Sequence, residues 1–172
     1  MKNIRRISVV ALLTALYFVL AVLIKIPLVG HIYLDMGYIA LMVGAVYLGA
    51  VPAAIIGAIG ALLESAMIGS HGVSIGWILM NAIVGFSSGF VLQKLADGEK
   101  KKLVIAAVIV VSLSMLVGVA VKTLLECAMY HYALAVKIPS GITAWVADSA
   151  VMLVIGLPLC LVLKGRVKKL WK

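Results

Sequence analysis

The chain has 172 residues, of which 65% are apolar and 12% charged, with a mean hydropathy of +1.24, whereas a soluble domain is roughly 45–50% apolar and about 25% charged. Such a composition cannot supply a water-facing surface, so the chain reads as an integral membrane protein; at about 20 residues per helix, six spans leave no room for an extramembrane catalytic or ATPase domain. The net charge of +9 comes from Lys and Arg grouped at particular loops and not interleaved with aromatics, which argues against nucleic acid as a partner.

Polar punctuation predicts an all-α fold of six transmembrane helices, at about 7–24, 34–49, 51–69, 73–93, 103–127 and 141–163, forming one membrane domain over residues 1–172. Lys2, Arg5 and Arg6 ahead of the first apolar run resemble the start of a signal peptide. The run from Ile7 to Ile24 is nevertheless long enough to span and lacks a small-x-small cleavage site before Lys25, so it is expected to be retained as a helix. It carries Ala11-x-x-x-Ala15. The first outer loop, Lys25 to Asp35, contains Pro27, Gly30, His31 and Tyr33 and is placed to cover a pocket. Pro52 suits the first turn of a new helix, where its missing N–H has no intrahelical partner; reading 34–69 as one helix would give five spans. Span 3 carries Ala53-x-x-x-Gly57-x-x-x-Ala61, a spacing that permits close approach either within the chain or to a partner subunit. Cys127 and Cys160 fall near opposite ends of neighbouring spans, too distant for a disulfide.

Orientation follows from the basic flanks, because cytoplasmic segments retain positive charge during insertion. The N-terminus (Lys2, Arg5, Arg6), the 94–102 loop (Lys94, Lys100, Lys101, Lys102) and the tail (Lys164, Arg166, Lys168, Lys169, Lys172) hold all but three of the 15 Lys and Arg. A six-span chain puts these segments on one side, so both termini are expected to be cytoplasmic. Five spans would split them.

Ionisable groups inside a span are costly, roughly 2.5–3.5 kcal/mol each on insertion scales, and are functional candidates by default. At about 1.5 Å per residue, Glu64, Asn81, Lys122, Glu126 and Asp148 all fall in the outer half of the bilayer. Helical spacing sets a ring beside three of them: Trp77 four residues before Asn81, Trp145 three before Asp148, and Tyr130 four after Glu126. Mostly apolar walls with a few placed polar groups suit an outward-facing pocket for a small, partly aromatic, hydrogen-bonding molecule. Structural roles compete with this reading. Lys122 and Glu126 can neutralise each other, Trp77, Trp145, Tyr33 and Tyr130 can be interfacial belt residues, and Asn81 can be a helix-to-helix hydrogen bond. Glu64 and Asp148 have no basic residue within four positions and are harder to explain structurally.

Other classes of function find less support in the same sequence. His31, His71 and His131 all fall on outer loops, and imidazole suits Zn, Ni or Co, but no two stand at ligand spacing within a helix. Gly72-Val73-Ser74-Ile75-Gly76 fits G-x-S-x-G and opens span 4. A serine nucleophile needs a base, yet no span contains a His. A passive channel is a further alternative. It predicts conductance without ATPase partners, whereas a binding module predicts tight binding and no flux alone.

The loop Ile26-Pro27-Leu28-Val29-Gly30 leading into Leu34-Asp35-Met36-Gly37-Tyr38, with Ala11-x-x-x-Ala15, Gly49-Ala50-Val51-Pro52-Ala53, Trp77 to Gly85 and Gly156-Leu157-Pro158-Leu159, occurs in an order and spacing that resembles the substrate-binding S components of energy-coupling factor (ECF) vitamin transporters. The resemblance covers nearly the whole chain, and spans 2 to 4 look most like the riboflavin-type branch. It implies a plasma-membrane subunit without catalysis or cofactor that binds a vitamin-like molecule from outside beneath the first outer loop. It further implies docking through Ala11 and Ala15 on a transmembrane coupling subunit driven by two cytoplasmic ATPase subunits, and toppling in the membrane to release the ligand. The ligand site would then lie at the 26–35 loop, including His31, Tyr33 and Asp35, and at the outer ends of spans 4 to 6. Metal-transporting members begin Met-His, whereas this chain begins Met1-Lys2-Asn3. Many members also have adjacent Gly-Pro between spans 2 and 3, where here Gly49 and Pro52 are separated.

Overall fold

The computed structural model describes residues 2–27, 33–68 and 73–170. In chain order these form α1 (Lys2–Leu23), β1 (Lys25–Pro27), β2 (Tyr33–Asp35), α2 (Tyr38–Tyr47), α3 (Ala50–Ile68), α4 (Ile75–Leu95) and α5 (Lys100–Tyr130). The last helix consists of α6 (Leu134–Ala150) and α7 (Leu157–Leu170), joined by a π-helical turn at Val151–Gly156. The protein is a helical membrane protein. Five stretches are long and apolar enough to cross a bilayer, namely most of α1, then α3, α4, α5 and the continuous Leu134–Lys164.

The bounds of the predicted second helix are corrected. Only Tyr38–Tyr47, 10 residues, is helical, about 15 Å at 1.5 Å per residue. Leu34 and Asp35, placed in that span by their apolar neighbourhood, belong instead to a strand. β1 and β2 pair antiparallel with Ile26 opposite Leu34 and Lys25 opposite Asp35. The switch from strand to helix is local chemistry, since Asp35 Oδ1 accepts the Gly37 N–H at 2.7 Å, an Asx-type turn. A Cβ at Gly37 would lie 2.9 Å from both Asp35 Oδ1 and Tyr17 Cε1, so the turn needs glycine. Protein surrounds this short helix. Tyr38, Ala40, Leu41, Met42 and Gly44 through Val46 are all buried.

α2 ends where the N–H groups of Leu48 and Gly49 both return to the Gly44 carbonyl, at 2.9 and 3.2 Å, with Gly49 at φ +91°. This is a glycine C-terminal cap. Arg6 donates to the Leu48 carbonyl at 2.7 Å, satisfying a helix-end oxygen and placing a cation at the negative end of the helix dipole. Pro52 then falls in the first turn of α3, as the sequence predicts, so residues 34–69 do not form one helix.

α3 and α4 approach closely through small residues. A Cβ at Gly57 would lie 2.5 Å from the Asn81 carbonyl oxygen, and one at Gly85 2.7 Å from the Ala53 carbonyl carbon. The small-residue pattern of span 3 therefore serves contact inside the chain, at least at Ala53 and Gly57. At one end of the bundle Gln93 lies against Gly49, Arg6 reaches Leu48, and Lys164 donates to the Gly98 carbonyl at 2.8 Å. The start of α1, the α4–α5 turn and Lys164 of the last helix thus share this end, and the ribbon occupies the other.

Three further boundaries differ from expectation. α5 has 31 residues, about 47 Å, and overshoots a hydrocarbon core of about 30 Å. It stops at exposed His131, held at φ +54° as a left-handed cap. The last helix begins at Leu134, not at 141, and runs through Pro139. Its π turn precedes Pro158, whose ring removes the N–H that the carbonyl four residues earlier would accept; the Leu157 N–H bonds Met152 O instead.

Candidate ligand site

At the ribbon end, buried and half-buried polar and aromatic side chains from the helices and from β2 meet, and their contacts run from one to the next. The Tyr17 hydroxyl of α1 lies 2.8 Å from Asp35 Oδ2 and 3.0 Å from Asn81 Oδ1. Asn81 Nδ2 donates to the Trp77 carbonyl at 2.9 Å. The Trp77 indole N–H donates to Glu64 Oε2 at 3.0 Å, joining α4 to α3. Lys122 Nζ stands 4.6 Å from the centroid of the Trp77 ring, a cation–π contact. That reach depends on Gly76, whose missing Cβ would lie 3.2 Å from the Lys122 carbonyl oxygen.

Lys122 also lies 3.8 Å from Glu126 Oε1, while Lys137 of α6 donates to Glu126 Oε2 at 2.8 Å. Asp148 of α6 is 2% exposed and faces the Asp35 backbone amide. Tyr38 stands between Tyr17 and Trp77, edge-to-face with each at 6.2 and 6.4 Å between ring centroids. Its buried hydroxyl faces the Asn81 amide but completes no hydrogen bond.

Burial divides the cluster into two layers. Tyr17, Asp35, Tyr38, Asn81 and Asp148 are buried, whereas Glu64, Trp77, Lys122 and Glu126 are half-buried. The outer layer sets a carboxylate, an indole, an ammonium and a second carboxylate at the ribbon end. The inner layer holds that surface in place through hydrogen bonds and ring edges.

The structure thus brings together Glu64, Trp77, Asn81, Lys122 and Asp148, together with Asp35 of the loop. Glu126 joins at the rim through its two lysines. Trp145 is turned elsewhere, with its indole N–H donating to the Ser112 carbonyl at 2.9 Å and fixing α6 to α5. The Tyr130 ring lies 5.9 Å from Tyr132, and Tyr33 is a half-exposed strand residue opposite Pro27. His31 and His71 lie outside the described residues. Ser74 is the N-cap of α4, its oxygen accepting the Trp77 N–H at 3.2 Å, which gives the G-x-S-x-G match a structural role. Among the described residues no three His, Cys, Asp or Glu gather as metal ligands.

Tyr17, Tyr38 and Lys137 join the cluster without having been expected there. A signal for Tyr17 exists in the sequence. A phenol within an aliphatic span has no hydrogen-bond partner in lipid and must find one in protein.

A family model described as ECF-type riboflavin transporter, S component, matches residues 1–165. The chain belongs to this family. It is the substrate-binding membrane subunit of an ECF transporter. No curated protein is detectably similar to it. For this S component, Ala11 and Ala15 both lie on the exposed face of α1, with Tyr17 on the buried face of the same helix.

Proposed function

We propose that this subunit binds riboflavin or a closely related flat, hydrogen-bonding vitamin from the outside, at the half-buried layer formed by Glu64, Trp77, Lys122 and Glu126 under the β1–β2 ribbon. The reading is carried by the convergence of Glu64, Trp77, Asn81, Lys122 and Asp148 from four helices on one end of the bundle, where lipid would tolerate none of their polar groups alone. Riboflavin's ring system offers an aromatic face for Trp77, and its ring edge and hydroxyls offer donors and acceptors for the carboxylates and the ammonium. Asn81 and Asp148 act from beneath. Tyr33 and Asp35 of β2 form the cover.

α2, with its flanking residues, completes a sixth crossing, and both termini lie in the cytoplasm. The gathering of the α1 start, the 94–102 turn and Lys164 at one end supports this, because these segments carry most of the basic residues and positive charge stays inside. Ala11 and Ala15 dock on the transmembrane coupling subunit, which two cytoplasmic ATPase subunits drive. The direct experiment adds riboflavin to the purified subunit in detergent and follows its fluorescence. Saturable one-to-one quenching supports the reading; the absence of binding to riboflavin refutes it.

A further inference from the structure

The fold uses the ring of Tyr38 but not its hydroxyl. Tyr38 opens α2, is fully enclosed, and packs edge-to-face against Tyr17 at 6.2 Å and Trp77 at 6.4 Å. A phenylalanine would make both contacts. The hydroxyl is buried and completes no hydrogen bond, a condition shared among the described residues only by Ser149 Oγ. Burying a hydroxyl in this way costs free energy that a hydrogen bond would return. A serine on a helix relieves the cost by rotating toward the carbonyl one turn back. A phenol cannot, because its oxygen stands at the far end of a rigid ring, out of reach of its own backbone.

The surroundings of the hydroxyl place it beside the ligand site. Asp148 of α6, Asp35 of β2, Glu64 of α3 and the Asn81 amide of α4 all face it, so it sits where the enclosed and half-buried layers join. Asn81 is held by other partners, its Oδ1 by the Tyr17 hydroxyl at 3.0 Å and its Nδ2 by the Trp77 carbonyl at 2.9 Å. Trp77, whose ring receives the face of the ligand in the reading above, is also the ring that fixes the orientation of Tyr38.

We propose that Tyr38 is a specificity-determining residue whose hydroxyl donates its proton to an acceptor, a carbonyl oxygen or ring nitrogen, on the inner edge of the flat molecule stacked on Trp77. This rests on the placement of the ligand site given above, and it adds a residue of α2 to a site otherwise drawn from β2 and α3 to α6. β2 is the element that yields as the edge enters, since it faces the hydroxyl through Asp35, is three residues long and belongs to a two-stranded sheet. A molecule with the acceptor recovers the burial cost of the hydroxyl. One of the same shape without it leaves the proton unpaired and is rejected, as in other sites built to read a polar atom.

The test compares the wild-type chain with Tyr38→Phe, both purified in detergent, in two measurements. The first is resistance of the free subunit to unfolding by SDS. Tyr38→Phe should equal or exceed the wild type; lower stability, or failure to fold, would give the hydroxyl a structural role and overturn the proposal. The second is fluorescence titration with riboflavin and with its 1-deaza, 5-deaza, 2-thio and 4-thio analogues, each altered at one ring acceptor. Tyr38→Phe should bind riboflavin about tenfold more weakly. One analogue should show the same loss on the wild type and no further loss on Tyr38→Phe. Unchanged riboflavin affinity in Tyr38→Phe, or equal discrimination among the analogues by both proteins, would overturn the proposal. A wild type that binds no riboflavin refutes the choice of vitamin and not the role of Tyr38, which the unfolding comparison then decides.

Discussion

Substituting Gly57 by Ala tests the dependence of the site on the α3–α4 crossing. The new Cβ would lie 2.5 Å from the Asn81 carbonyl oxygen, 3.0 Å from its carbonyl carbon and 3.2 Å from Leu41 Cδ1. Leu41 can yield, but the Asn81 backbone belongs to a helix and cannot. Restoring ordinary contact, at about 3.4 Å, requires α4 to retreat by about 0.9 Å. The Trp77 to Glu64 hydrogen bond, now 3.0 Å between the same two helices, would then stretch beyond useful length. Overpacking costs about 1–3 kcal/mol, and interhelical hydrogen bonds within membranes contribute about 0.6 kcal/mol on average. Against this stands up to about 1 kcal/mol from replacing a helical glycine by alanine.

The net expectation for Gly57→Ala is destabilisation by about 1–2 kcal/mol, read as reduced resistance to unfolding by SDS in mixed micelles, with riboflavin binding weakened about tenfold, equivalent to about 1.4 kcal/mol. Gly141→Ala is the control. Its Cβ would meet only side-chain atoms, Val119 Cγ1 at 3.1 Å and Thr123 Oγ1 at 3.4 Å, so it should be neutral or slightly stabilising. Equal unfolding and binding for the two variants would refute the account of the crossing.

Three further outcomes are expected. Trp77→Phe keeps a ring under Lys122 but removes the donor to Glu64, so riboflavin affinity measured by fluorescence titration should fall about 5- to 10-fold while thermal stability changes by less than about 1 kcal/mol. Ala15→Trp, on the exposed face of α1, should abolish transport and co-purification of the coupling subunit while leaving binding by the isolated subunit intact. Unimpaired transport would exclude that face from docking. Lys100→Cys, with Cys127 replaced by Ser, should react with an impermeant maleimide only from the cytoplasmic side. Labelling of intact cells from outside would reverse the orientation.

Most helices were legible because each is a long apolar run bounded by charge. The Gly49 to Pro52 junction was legible because the chemistry of a glycine cap and an N-terminal proline is local. The short α2 was hidden by its own burial. Leu34, Met36 and Ile39 extend the apolar run continuously, and only the Asp35 carboxyl turning back to the Gly37 N–H separates strand from helix. The last helix starts before its apolar run, at Leu134, and passes through Pro139.

Within the site, depth along each helix picked out Glu64, Asn81, Lys122 and Asp148, because cost in lipid is a property of single residues. Which partner each one meets depends on how neighbouring helices are rotated, and one sequence does not contain that information. Lys122 and Glu126 do pair at 3.8 Å, but the closer partner of Glu126 is Lys137, from another helix at 2.8 Å. Trp145, one turn from Asp148 by count, is committed to the Ser112 carbonyl. Tyr17 was masked by the aliphatic stretch around it, although its enclosure by Gly37 and Gly60 makes it a centre of the cluster.

The claim that the polar groups at the ribbon end form the ligand site is tested most directly by comparing riboflavin dissociation constants for Glu64→Gln and Asp148→Asn with that for Ser88→Ala. Ser88 is as buried as Asp148 but pairs with Ser114, away from the cluster. The account predicts at least about tenfold weaker binding for both acidic variants, equivalent to about 1.4 kcal/mol, with Ser88→Ala close to wild type. Affinities unchanged in the acidic variants, or lowered equally in all three, would contradict it.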